Sequence, residues 1–191
     1  MSLYKGGFDM KKVTLLGDSI RQIGYGLKVP ELLGSGYSVY QPEDNCRFAK
    51  YTLRGVLHEW KNDIQGSDII HWNNGLWDIC DLGDGVFTSE GEYVENMLRV
   101  ARLLKQLGKV VVFATTTPVN PKHEFNKNST IVRYNELIVP ELNKLGIIIN
   151  DLYTPVAADI EKYISDDLIH LSEEGVDLCA GMVANIIKSN T

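Results

Sequence analysis

Val13-Thr14-Leu15-Leu16-Gly17-Asp18-Ser19-Ile20 begins as a run of strand formers and stops at Gly-Asp-Ser. A short apolar run bounded by a turn signal reads as a buried strand. Gly17 lets the backbone turn at its end. Ser19 then falls where a strand hands over to a helix. In an open parallel sheet, ligands bind in the crevice beyond the carboxyl ends of the strands. The first N–H groups of the following helix are unpaired there as well. The competing reading is that Asp18 or Ser19 caps that helix, since both types are favoured caps. On this segment alone, capping outweighs catalysis.

Working outward, apolar strand-like runs recur near 12–17, 37–41, 67–73, 109–115 and 146–151. Helical patterns separate them, near 19–27, 49–62, 89–107, 130–144 and 172–188. Such alternation predicts an α/β chain with about five parallel strands, covered by helices on both faces. The clearest helix runs from Glu92 to Leu107, where Val94, Met97, Leu98, Ala101 and Leu104 recur at helical spacing. Ser89 and Glu92 make a capping box before it, and Gly108 ends it. Residues 152–164 also read as one helix, with Pro155 in its first turn.

The 191 residues contain no internal repeat and no dividing linker, so we expect one domain over 1–191. Residues 1–11 read as a loose N-terminus or a tag scar, with Met1-Ser2-Leu3 as the scar and Met10 as a native start. A hydrophobic share of 44% and a charged share of 23% are those of a soluble globular protein. The net charge of −6 argues against a nucleic-acid partner. No apolar run approaches a membrane span, and Met1 to Lys12 lacks the apolar core of a signal peptide. Cys46, Cys80 and Cys179 are widely spaced and odd in number, which suits a reducing cytoplasm better than a disulfide framework. No Cys or His spacing matches a zinc site, so no metal is expected.

A second segment, Asp166-Asp167-Leu168-Ile169-His170-Leu171-Ser172, changes the odds for Ser19. Asp167 and His170 lie three apart, so one turn brings both side chains to one side. A carboxylate there accepts the imidazole Nδ1–H and leaves Nε2 as a base. A serine hydroxyl is a weak nucleophile until such a base takes its proton. Gly-Asp-Ser after the first strand, paired with Asp-x-x-His before the last helix, is far from a chance combination.

These two motifs resemble those of the SGNH or GDSL hydrolases, and the resemblance spans Gly17 to His170. It implies a flavodoxin-like three-layer α/β/α sandwich. It also implies ester hydrolysis without a cofactor, with Ser19 as nucleophile, His170 as base and Asp167 orienting the base. The Ser19 N–H would be one oxyanion donor. Two middle motifs depart from the pattern. Where the family has a glycine whose N–H binds the oxyanion, the matching position is Arg47. Its guanidinium has two further uses: meeting an anionic or carbohydrate substrate, or pairing with Glu43 or Asp44. Where the family has Gly-x-Asn-Asp, this chain has Gly75-Leu76-Trp77-Asp78, with Trp in place of Asn. The displaced amide comes from Asn73 or Asn74. Asn73 is favoured, because a polar residue ending an apolar strand needs a reason. The alternative is an ordinary Asx turn. Asn74 and Trp77 are candidate substrate contacts, and His71 is expected to be a packed strand residue.

The loops at the sheet's carboxyl edge carry Glu43, Asp44, Arg47, Lys122, His123, Glu124 and Lys127, with no run of exposed apolar residues. We therefore expect a short-acyl ester, acetyl above all, of a polar and carbohydrate-like alcohol. The alternative is a non-catalytic flavodoxin-like module that binds a glycan or a phosphorylated ligand. Against it, no Gly-rich phosphate loop follows the first strand.

Overall fold

The computed structural model describes residues 10–191. The reading of the N-terminus as loose or as a tag scar therefore lies, up to residue 9, outside the described residues. Five strands form one wholly parallel sheet: β1 (Lys11–Leu16), β2 (Tyr37–Tyr40), β3 (Ser67–Trp72), β4 (Gly108–Ala114) and β5 (Ile148–Asn150). Their order is β2-β1-β3-β4-β5. β1 sits inside the sheet, with Val13 beside Val39 on one side and Ile69 on the other. Val13 to Leu16 are all buried, which is why the run is continuous rather than alternating.

Helices cover both faces. A π-helical turn (Ile20–Tyr25) leads into α1 (Gly26–Leu33), which packs on α8 (Glu173–Ser189). The other layer holds α2 (Ala49–Leu57), α4 (Glu90–Leu107) and α5 (Asn128–Lys144), in mutual contact through α4. Short helices α3 (Lys61–Ile64), α6 (Tyr153–Ala157) and α7 (Ile160–Tyr163) fill the connections. The expected three-layer α/β/α architecture is the observed one.

The departures are local. The first helix runs past 27 to Leu33 and bends at Gly24, whose backbone leaves helical geometry. The expected helix over 49–62 breaks at His58, and a short turn resumes at Lys61. The one over 152–164 divides in two, because the Asp159 side chain caps a second start at the Lys162 N–H. Ser89 caps α4 as expected. Gly108 is not a left-handed stop but the first residue of β4, with extended backbone. A Cβ there would come within 2.7 Å of the Ile70 side chain, so close packing between β4 and β3 is what demands glycine.

Candidate active site

Strand order reverses at β1, with β2 on one side and β3 on the other. The crevice between the carboxyl ends of β1 and β3 is the switch point where such sheets bind ligands. Gly17-Asp18-Ser19 leaves β1 there, and Asn73-Asn74 leaves β3 beside it. Asp18 does the capping: its Oδ1 accepts the Ile20 N–H at 3.0 Å. Ser19 makes no side-chain cap bond. Among the described residues neither its Oγ nor its N–H has a hydrogen-bond partner. Capping and chemistry, which competed for Ser19 in the sequence, are thus divided between neighbours.

Gly17 is required by proximity rather than by a turn. A Cβ on it would lie 1.9 Å from Asn73 Oδ1 and 2.8 Å from Arg21 Cβ. The Asn73 carboxamide is held on both ends. Oδ1 accepts from Tyr25 Oη at 2.8 Å, and Nδ2 gives one hydrogen to Asp18 Oδ1 at 2.9 Å. The second hydrogen of Nδ2 has no acceptor among the described residues. Burial pushes the Asp18 carboxyl up, against the opposing bonds from Asn73 and Ile20. Arg21, also buried, donates from its guanidinium to the carbonyls of Gly17, Pro42 and Asp44. It therefore ties the serine turn to the loop after β2.

His170 and Asp167 meet as expected. Asp167 Oδ2 lies 2.6 Å from His170 Nδ1. Its Oδ1 accepts from Ser165 Oγ and from the backbone N–H groups of Ile169 and His170. Burial pushes this carboxyl up, but the two His170 donors, Ile169 and Ser165 outweigh it and hold Asp167 well below the usual carboxylate range. With Nδ1 engaged, Nε2 is the ring's open nitrogen. Asp166 makes no such contact. Ser19 and His170 line one cavity of about 220 Å³, together with Leu76, Trp77, Phe125 and Ile169. His71 is fully buried in β3, edge-on to Tyr25, and burial pushes it down to about 3.

Two expected site residues are placed elsewhere. The Arg47 N–H donates to Asn45 Oδ1 at 2.8 Å in an Asx turn, so it offers an oxyanion no free donor. Its guanidinium lies over the Tyr51 ring, 4.9 Å from the centroid, and makes no ion pair with Glu43 or Asp44 among the described residues. Its φ of 49° is left-handed, the conformation in which glycine is at ease. Asn74 is completely buried: Oδ1 accepts from Trp72 Nε1 and Nδ2 donates to the Arg47 carbonyl. It holds the Arg47 turn in place and has no access to a substrate. Trp77 does line the cavity and is 41% exposed.

Three further cavity residues had no site role in the sequence, Cys80, Phe125 and Asn126, and His123 figured there only as part of a polar edge loop. The mouth is also less polar than expected, since the exposed Trp77 and Phe125 line the cavity and the exposed Leu82 shares an adjoining groove with Phe125. They are scattered among Gly and Asp in the sequence. The bridge between Asp81 and Val86, and the bond from the Asp81 N–H to the Phe125 carbonyl, bring their loops together.

No family model and no curated protein matches the sequence. Solved structures do match in fold. A lipase/acylhydrolase from Enterococcus faecalis is 17% identical, with a TM-score of 0.76 over 94% of this chain and 96% of its own. The acetyl xylan esterase AlAXEase is 18% identical, with a TM-score of 0.76 over 92% of this chain and 99% of its own. A GDSL-like lipase from Bacteroides thetaiotaomicron is 18% identical, with a TM-score of 0.73 over 95% of this chain and 89% of its own. This chain has the fold of those lipases, acylhydrolases and acetyl xylan esterases. The agreement covers nearly all of both partners, so the likeness extends to the whole sandwich and not to a shared βαβ unit alone. Among the described residues, no helix is long and apolar enough to cross a membrane. No cluster of three or more His, Cys, Asp or Glu there is arranged to hold a metal.

Proposed function

We propose that the chain is a single-domain serine esterase of the SGNH type. Ser19 Oγ attacks the ester carbonyl as His170 Nε2 takes its proton, and His170 returns that proton to the leaving alcohol. Water then attacks the acyl-serine by the same route. Asp167 fixes the ring and stabilises the imidazolium. The Ser19 N–H and the free hydrogen of Asn73 Nδ2 hold the oxyanion. One observation carries the reading. Asp18 takes the cap bond, which leaves the Ser19 hydroxyl unbonded in the same cavity as a histidine tied down by a carboxylate. Incubation with a fluorophosphonate probe tests it. Ser19 is expected to be labelled, and Ser19→Ala to lose both labelling and ester turnover. Its stability should stay within about 0.5 kcal/mol, since its Oγ makes no bond. An unlabelled wild-type protein that turns over no ester would favour the non-catalytic binding module.

For the substrate we favour a short acyl group, acetyl above all, on a carbohydrate-like alcohol. Trp77 and Phe125 flank the cavity, and aromatic faces stack on sugar rings. Acetyl xylan esterases are among the proteins of similar fold, which supports the same choice. Comparing acetyl, butyryl and octanoyl esters of one alcohol decides the acyl length, and a maximum at octanoyl would overturn this part. The three cysteines are unpaired, which supports a reducing compartment such as the cytoplasm.

A further inference from the structure

We propose that His123 and Asn126 form a donor–acceptor pair that selects esters of vicinal diols. This rests on the esterase reading above and names what grips the alcohol half of the substrate. Both residues line the cavity that holds Ser19 and His170. They sit on the loop between β4 and α5 and are fastened to each other: the Asn126 N–H donates to His123 Nδ1 at 3.0 Å.

That bond sets the tautomer. A neutral imidazole nitrogen that accepts a hydrogen bond carries no proton, so the proton of His123 is on Nε2. Burial and the nearby Lys127 ammonium both push His123 down, which favours the neutral ring. Nε2–H has no acceptor among the described residues. It is the ring's open donor.

Asn126 is set by a similar argument. Its Nδ2 donates to the Leu76 carbonyl at 2.7 Å, and only the NH2 end of the amide can do so. Oδ1 is therefore the other end, and it has no donor among the described residues. The fully buried polar side-chain atoms without partners there are Asp18 Oδ2, Arg21 Nε, His71 Nδ1 and Thr117 Oγ1. Asn126 Oδ1 is not one of them, so it reaches open space, although the residue as a whole is only 2% exposed. Asn126 lines the Ser19–His170 cavity, and we assign its Oδ1 to that face.

The wall thus offers one donor and one acceptor, three residues apart and locked together. A vicinal diol complements both: one hydroxyl accepts from His123 Nε2–H, and its neighbour donates to Asn126 Oδ1. Leu76, Phe125 and Ile169 supply apolar surface without side-chain donors or acceptors, and Trp77 adds only its indole N–H. An alcohol without hydroxyls would strip both groups of water and leave them unpaired. Sites built to bond a substrate hydroxyl reject analogues that lack it.

Glycerol 1-acetate and propyl acetate share a carbon skeleton and differ in the two hydroxyls, so their kcat/KM ratio is the readout. We expect the unsubstituted protein to favour the diol ester by at least about tenfold. His123→Asn keeps an acceptor near the Nδ1 position for the Asn126 N–H and removes the Nε2–H donor. In that variant the ratio should fall by about tenfold, mainly through a higher KM for the diol ester. A ratio near one in the unsubstituted protein, or a ratio unchanged in a folded His123→Asn, overturns the inference. If His123→Asn does not fold, the unsubstituted ratio still decides. Fluorophosphonate labelling separates the two levels. A labelled protein without diol preference loses this inference alone, whereas a protein neither labelled nor active loses the esterase reading with it.

Discussion

Gly17→Ala is the sharpest probe of how the serine turn is built. The added Cβ would lie 1.9 Å from Asn73 Oδ1, so the carboxamide must retreat by more than about 1 Å. Its bonds to Tyr25 Oη and Asp18 Oδ1 are 2.8 and 2.9 Å long, and both leave hydrogen-bonding range after such a shift. One is neutral and the other meets a carboxyl, so their joint loss costs about 3 kcal/mol. For a chain of this size that lowers Tm by about 6–12 °C. The same shift withdraws the Asn73 Nδ2–H proposed for the oxyanion, and kcat should fall by about 10²–10³ with little change in KM. Asn73→Ala isolates the cause. It has already lost both bonds and the clashing oxygen, so adding Gly17→Ala to it should cost less. A coupling of about 1–2 kcal/mol is expected from urea unfolding of the four proteins. Part of the cost persists, because Arg21 Cβ also lies 2.8 Å from the new atom. Equal costs of Gly17→Ala in both backgrounds, or wild-type kcat in the single variant, would refute the account.

Asp167→Asn should lower kcat by at least about 100-fold, whereas Asp166→Asn should stay within about twofold, since only Asp167 bonds His170; the reverse order in steady-state kinetics would move the orienting role to Asp166. Asp78 is driven by burial up to about 7, despite the Ala49 N–H that it accepts. Its folded value lies above the unfolded value of about 3.9, so its contribution to stability is fully present below pH ~4 and is lost as pH rises through about 7. Asp78→Asn should therefore raise Tm more at pH 8 than at pH 5, by about 2–4 kcal/mol in stability, and a variant less stable than wild type at pH 8 would contradict this. His71 has the opposite sign: its folded value of about 3 lies below the unfolded ~6.5, so it removes stability as pH falls between those values. In Asp78→Asn the acid side of the stability profile should steepen accordingly, and a profile flat from pH 6.5 to 4 in that variant would place His71 elsewhere.

The fold class was legible in the sequence because strands covered on both faces are nearly continuous apolar runs. Val13 to Leu16, Ile69 to Trp72 and Val110 to Phe113 announce themselves without any knowledge of their neighbours. Asp167 and His170 were legible for a related reason, since a separation of three residues is a local geometry that one turn settles. The oxyanion side was not local. Whether the Arg47 N–H is free depends on the Asn45 side chain closing an Asx turn on it. Asn73 and Asn74 are adjacent and chemically identical in the sequence. Only the packed sheet sends one to Asp18 and Tyr25 and the other to Trp72 and the Arg47 carbonyl. Gly17 and Gly108 looked like turn and stop signals, yet each is glycine because a side chain of β3 or of the residue just after it passes close by.

By itself, then, the sequence determined the alternation of strand and helix, the serine at the end of the first strand and the Asp-His pair before the last helix. These rest on periodicity and on spacings of a few residues. The tertiary structure alone decided that Asp18 rather than Ser19 caps the helix start. It also decided which asparagine bonds Asp18 and which holds the Arg47 turn, and that His123 and Asn126 share a cavity with residues more than a hundred positions away in the case of Ser19. Those outcomes depend on which chain segments the parallel crossovers bring to one sheet edge, and on competition among nearby donors for a few buried acceptors. Neither quantity is encoded in any one stretch of the chain.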